Sequence, residues 1–251
     1  MKIAVITGAS SGLGIEFLRA AVTLCPEIDT YWLIARREDR LEALKPQFPE
    51  KNLRPIALDL TAALKQFNAL LEREKPEISL LINNAGFGKL CDFATSDIES
   101  QTAMIDLNCR ALTAVTRYSL PYMKTGGLIL NISSIASFAP TPRMAVYCST
   151  KAYVQSFSRA LREELKPKKI NVLAVCPGPM ITEFWQVADR PTHKSRTLDM
   201  LPHQSPAKMA TCALKAGLKG KSACTMGGFY KFYRFLAHIL PKSLLMKWTK
   251  C

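Results

Sequence analysis

Histidine is scarce in this sequence, three residues in 251, and no Cys-x-x-Cys pair occurs among its eight cysteines. Without such pairs the chain offers no ligand set at the spacing a zinc site requires, and no metal is expected. Also missing is any run of about 18 apolar residues, the length a membrane-spanning helix needs. The Met1-Lys2 start passes directly into an apolar strand with no signal-peptide stretch, so a cytoplasmic protein is expected. In that compartment the scattered Cys25, Cys91, Cys109, Cys148, Cys176, Cys212, Cys224 and Cys251 read as reduced, mostly buried thiols. The last absence is of one charge sign: no Asp or Glu follows Asp199, and the whole chain carries a net charge of +14. That field favours polyanions, whether phosphorylated cofactors, acyl carriers, membranes or nucleic acid, without choosing among them. No nucleic-acid-reading motif is recognisable, so no nucleic-acid partner is expected.

At 251 residues and 48% hydrophobic content, the chain fits a single α/β domain with a sizeable core. Lys2–Thr7 reads as a buried strand that runs into Gly8-Ala-Ser-Ser-Gly-Leu-Gly14, and Leu13, Phe17, Leu18, Ala21 and Leu24 then recur at helical spacing. Glycines 8, 12 and 14, with Ser10, Ser11 and Leu13 between them, let the backbone approach a pyrophosphate at the positive end of that helix. A second strand, Thr30–Ala35, ends at Arg36-Arg37, where a carboxylate would receive a ribose hydroxyl in many dinucleotide sites. Arginine there favours a 2′-phosphate instead, the other reading being the head of a solvated helix.

Further strands are expected at Leu53–Leu58, Leu80–Ile82, Leu128–Ile132 and Asn171–Cys176. The first delivers Asp59-Leu60 ahead of a helix starting near Thr61, so Asp59 reads equally well as a helix-starting residue. The second precedes Asn83-Asn84-Ala85-Gly86. A long helix from Ser96 or Asp97 to Leu120 carries Asn108 among apolar neighbours, either buried with its amide satisfied or exposed. Gly126-Gly127 turns the chain into the third of these strands, which ends at Ser133-Ser134. Thirteen residues after Ser134 stands Tyr147, and Lys151 follows one turn later on a helix running to about Leu165. The last strand ends at Pro177-Gly178-Pro179-Met180-Ile181-Thr182.

The stretch 183–205 mixes Phe184, Trp185 and Val187 with Arg190, Lys194 and Arg196 and reads as a lid. A helix from Pro206 to Lys219, a short strand Ser222–Thr225 and a break at Gly227-Gly228 follow, and then a basic, aromatic tail over 229–251. Three readings of that tail stay open: packing over a pocket mouth or a subunit partner, contact with anionic membrane, or acyl-CoA recognition.

The order and spacing of Thr7-Gly-x-x-x-Gly-x-Gly14, Asn83-Asn-Ala-Gly86, Ser134, Tyr147-x-x-x-Lys151 and Pro177-Gly-x-x-x-Thr182 resemble the short-chain dehydrogenase/reductases over essentially the whole chain. The resemblance implies a doubly wound (Rossmann) seven-stranded parallel sheet, order 3-2-1-4-5-6-7, with helices on both faces. It implies Tyr147 as general acid or base, Ser134 on the substrate oxygen, Lys151 on the nicotinamide ribose, and Asn108 holding a water that connects the lysine to solvent. It places Asp59 and Leu60 near adenine, Asn84 and Gly86 against ribose, and Pro177, Gly178, Met180 and Thr182 around the carboxamide. NADP(H) is the implied cofactor, and a ketone or secondary alcohol on a hydrophobic body, such as a 3-oxoacyl thioester or a hydroxysteroid, is the implied substrate. A homo-oligomer, dimer or tetramer, is the expected assembly. The alternative is a non-catalytic NADP(H)-sensing regulator on the same fold, against which the intact proton donor argues.

Overall fold

The computed structural model describes residues 2–184, 188 and 200–248. Seven parallel strands form one sheet in the order β3-β2-β1-β4-β5-β6-β7. They are β1 (Lys2–Thr7), β2 (Thr30–Ala35), β3 (Asn52–Ala57), β4 (Glu77–Asn83), β5 (Met123–Ile132), β6 (Asn171–Val175) and β7 (Ala223–Cys224). The central strands are continuous apolar runs because both of their faces are covered. Successive side chains alternate between the two helix layers. Ala4, Ile6, Leu33, Leu80 and Ile82 pack on α1 (Gly12–Leu24) and α7 (Pro206–Leu218), while Ile3, Val5, Ile34 and Leu81 meet the other layer. That second layer is built from α3 (Leu64–Glu74), α5 (Leu112–Ser119) and α6 (Ala145–Leu165), with Phe67, Leu71, Val115 and Leu161 in its core. Neighbouring β1 and β4 are wound in opposite directions, so the sheet's crevice opens above their carboxyl ends.

Three local differences from the expected elements have physical causes. The chain between Asp59 and α3 is a turn, since the Asp59 carbonyl accepts from Ala62 N and Ala63 N, and the helix begins at Leu64 instead of Thr61. Gly126-Gly127 is no turn ahead of β5: the strand begins at Met123, and its pairing with β4 shifts between Ile78 and Leu80. Gly126, at φ +82°, absorbs that irregularity in a conformation costly to any other residue. The long helix around Asn108 is also interrupted. α4 (Ile98–Ile105), capped by the Asp97 carboxylate on Ser100 N, gives way to a π-helical turn over Asp106–Ala111 before α5 resumes. Other boundaries move by one to three residues, as when β4 runs from Glu77 to Asn83. The short α2 (Glu38–Glu42) follows Arg36-Arg37, and the chain after β7 forms α8 (Gly228–Ile239) and α9 (Lys242–Trp248). No helix among the described residues is long and apolar enough to cross a membrane.

Candidate active site

A cleft of about 900 Å³ lies along the carboxyl ends of the strands, running from Arg36 and Asp59 past the glycine turn to Ser134, Tyr147 and Lys151. The glycine turn leaves no room for a side chain at Gly8 or Gly14. A Cβ on Gly14 would sit 2.1 Å from the Gly8 carbonyl oxygen, and one on Gly8, itself at φ +65°, 2.8 Å from Ala85 Cα. The turn is held from below by Thr7, whose hydroxyl accepts from Asn84 N and Ala85 N, both at 3.0 Å. Asn84, expected against a ribose, spends its amide on the turn, donating to the carbonyls of Thr7 (3.1 Å) and Gly8 (3.0 Å). Asp59 lines the cleft and also closes its own turn, accepting from Thr61 N and Thr61 Oγ1. Those bonds, first the one from the Thr61 hydroxyl, hold its carboxyl below the usual range. Leu60, Gly86, Met180 and Thr182 line the same cleft.

At the far end β5 and α6 bring the chemistry together. The Ser134 hydroxyl lies near the phenol of Tyr147, where it offsets part of the effect of burial on that phenol, and it accepts from Ala136 N at 3.1 Å. Ser133 is used otherwise: its hydroxyl donates to the Lys151 carbonyl at 2.7 Å and so ties α6 to the strand. Lys151 lies one turn beyond Tyr147, with its Nζ donating to the Ile132 carbonyl at 2.9 Å and 5.7 Å from the centre of the tyrosine ring. Burial pushes the Tyr147 phenol well above its ordinary value and lowers the Lys151 ammonium to about 8. At neutral pH the pair is therefore a protonated phenol beside a charged amine.

Asn108, 1% exposed, projects from the π-helical turn. Its Oδ1 accepts from Phe87 N at 3.0 Å, and its Nδ2 donates to the Phe87 carbonyl at 2.8 Å and to Thr150 Oγ1 at 3.0 Å. Both amide protons are thus used, while Oδ1, with one bond accepted, keeps a second acceptor position.

A family model described as short chain dehydrogenase matches residues 2–192. The chain belongs to the short-chain dehydrogenase family. A "NADP-dependent 3-hydroxy acid dehydrogenase" of Schizosaccharomyces pombe is 36% identical over 194 residues, 73% of this chain and 73% of that protein. A "Very-long-chain 3-oxoacyl-CoA reductase" of Phaeosphaeria nodorum is 33% identical over 183 residues, 68% of this chain and 53% of that longer one. Among solved structures, a short-chain dehydrogenase of Sphingobium yanoikuyae in complex with NADPH superposes with a TM-score of 0.79 at 28% identity, covering 98% of this chain and 96% of that one. As a short-chain dehydrogenase the protein is an oxidoreductase acting between hydroxyl and carbonyl groups.

Several contacts of this short-chain dehydrogenase have no signal in the linear sequence. Glu183 reaches across the cleft to Arg37 (2.9 Å) and to Arg40, and Arg37 also donates to Ser10 Oγ at 3.3 Å. Arg36 remains exposed on the cleft wall, its charge felt by Asp59. Gln204 fastens the loop after β6, accepting from Gly178 N at 2.9 Å and donating to the Met226 carbonyl at 2.6 Å. Phe184 packs on Tyr147, ring centres 5.7 Å apart. Glu183 and Gln204 pair with residues distant in sequence, so no spacing rule finds them. Of the expected lid, Trp185, Val187, Arg190, Lys194 and Arg196 lie outside the described residues, as does Cys251.

Proposed function

We propose that the protein reduces a ketone on a hydrophobic substrate, a 3-oxoacyl derivative ahead of a steroid, with Tyr147 as proton donor. The observation that carries the reading is the convergence of Tyr147, Ser134 and Lys151 on one cleft, with the Lys151 Nζ 5.7 Å from the centre of the tyrosine ring. The cofactor is NADP(H): the glycine turn, which has no room for a side chain at Gly8 or Gly14, fits a pyrophosphate and exposed Arg36 fits a 2′-phosphate, as the NADP-dependent relative and the NADPH-bound neighbour support. When bound, that cofactor supplies the hydride. Around it, Asn84 keeps the turn's carbonyls in place, Asp59 and Leu60 flank the adenine end, and Gly86 and the segment Pro177, Gly178, Met180 and Thr182 flank the nicotinamide end.

Ser134 donates to the substrate carbonyl oxygen and Tyr147 delivers a proton to it as negative charge develops there. The raised phenol pKa keeps that proton on Tyr147 at neutral pH, which is the state reduction needs. Lys151, still largely charged below its pKa of about 8, stabilises the phenolate left behind and binds the ribose hydroxyls. Asn108 is a positioning residue that holds Phe87 and Thr150, and thereby the turn carrying Lys151. The substrate end of the cleft is faced by Met144, Phe184, Leu201, Phe232, Leu236 and Leu245, a lining suited to an alkyl chain. Seven free thiols among the described residues fit a reducing, cytoplasmic setting.

The test is NADPH absorbance followed against 3-oxoacyl thioesters of increasing length and against steroid ketones. Oxidation that strengthens with chain length is expected. Binding of NADPH with no turnover on any ketone would make the protein a nucleotide sensor instead.

A further inference from the structure

Among the described residues, one helix face is left without a partner. On α8 the side chains of Phe229, Phe232, Phe235 and Ile239 are 53%, 60%, 59% and 57% exposed, and their spacing sets them on one arc of the helix. Single exposed hydrophobics need no explanation, but four large ones on one arc do. The opposite arc is firmly seated. Tyr230 and Ala237 are buried, the Tyr230 hydroxyl donates to the Pro202 carbonyl at 2.6 Å, and its ring edge fills the space where a Gly178 Cβ would stand. Lys242 holds α9 against α8, its Nζ donating to the carbonyls of Phe138 and Ala237. The exposed arc is therefore presented by a fixed helix that rests on the loop flanking the candidate active site.

Two further observations say what covers it. Phe229 and Phe232 belong to the exposed arc and also line the cleft that holds Tyr147, so the arc forms the rim of the cleft's mouth. Beside the arc, Lys231, Arg234 and His238 form the polar strip of the helix, and after Asp199 the chain has nine Lys and Arg and no acidic residue. A second copy of the same face would oppose like charges across a two-fold axis, whereas an anionic lipid surface complements both the apolar arc and its basic border.

We propose that the outer face of α8 docks on an anionic lipid surface, setting the mouth of the cleft against the bilayer so that an apolar substrate passes directly between the two. The docking stands on the helix itself. Only the identity of the cargo rests on the reductase reading above.

The experiment uses the full chain with vesicles of phosphatidylcholine alone or mixed with phosphatidylglycerol, in low and in high salt. Wild-type protein is expected to pellet with the anionic vesicles only, less so as salt screens the basic border. The double variant Phe235→Glu/Ile239→Glu, whose positions do not line the cleft, is expected to bind these vesicles roughly tenfold or more weakly, the worth of withdrawing one or two large apolar side chains. NADPH binding by that variant should stay unchanged. Its KM should rise for a long-chain 3-oxo ester dissolved in the anionic vesicles but not for a short, water-soluble 3-oxo ester.

Equal recovery of wild type with both vesicle types, or variant binding equal to wild type, overturns the proposal. So does a wild-type dimer in light scattering that falls to monomer mass in the double variant, since the arc would then be a self-interface. Anionic pelleting lost in the variant, with no NADPH oxidation on either ester, leaves the docking standing and removes the reductase reading.

Discussion

The region matched by the family model, residues 2–192, and the region beyond it, 200–248, are built on opposite principles. In the first, tolerances are tight: a Cβ on Gly14 would overlap the Gly8 carbonyl, and the Asn84 and Asn108 side chains are bonded at both of their tasks. In the second, α8 is anchored along one edge and open along the other, and its composition is aromatic and basic. Handling a fixed nucleotide demands fixed backbone, because a small displacement at the reacting atoms is costly. An alkyl chain or a lipid surface demands only area, which many arrangements of Phe and Leu supply. In the reading proposed above, the first part would carry the reaction and the second would select what reaches it.

The comparison can be broken or sharpened by substitution. The largest effect is expected at Tyr147→Phe, which should cut turnover by roughly 10²–10⁴-fold with NADPH affinity nearly unchanged. Steady-state rates and a fluorescence titration check it, and a near-wild-type rate would remove the phenol from the mechanism. Gly14→Ala comes next. A Cβ 2.1 Å from the Gly8 oxygen forces the turn open, at a cost on the order of 3 kcal/mol, with nucleotide binding lost, measurable by denaturant unfolding and by titration.

Arg36→Glu should raise the KM for NADPH roughly ten- to a hundredfold while leaving that for NADH little changed, the range expected for charge-assisted hydrogen bonds to one phosphate. Equal changes for both coenzymes would show that Arg36 does not read the phosphate.

A smaller effect concerns pH. Lys151 has a pKa near 8 in the folded chain against 10.5 for an ordinary lysine, so between those values the unfolded chain binds the extra proton and stability rises with pH. Relative to Lys151→Met, nucleotide-free wild type should gain on the order of a few degrees in Tm across that window. A constant difference would mean that the amine is not desolvated. The smallest effect is expected at Phe235→Glu in the open region, where stability should move by less than about 0.5 kcal/mol and turnover of a water-soluble ketone not at all. A large loss there would show that α8 is as tightly built as the nucleotide turn.

Much of the first region was legible in the linear chain. Parallel strands buried on both faces write themselves as apolar runs such as Ala4-Val5-Ile6 and Leu80-Leu81-Ile82, and the glycine turn and the Tyr147–Lys151 pair are local patterns. What escaped is of another kind. The Gly126 bulge depends on how β5 must pair with β4, and the π turn at Asn108 on bonds to Phe87 and Thr150, 21 and 42 residues away. Glu183 meets Arg37 across 146 residues. Propensity and periodicity carry no information about such partners.

By itself, then, the sequence determined the layered fold and marked out the glycine turn and the Tyr147–Lys151 pair, because each follows from a spacing of a few residues along one strand, turn or helix. Tertiary structure alone decided that Ser133 ties α6 to the end of β5 and that Asn84 and Asn108 hold backbone in place. It also decided that a phenol and an amine buried together keep their protons at neutral pH, and that one side of the last long helix is left open beside the cleft. Burial and partnership arise only when distant segments meet, and those two quantities set the chemistry of the site.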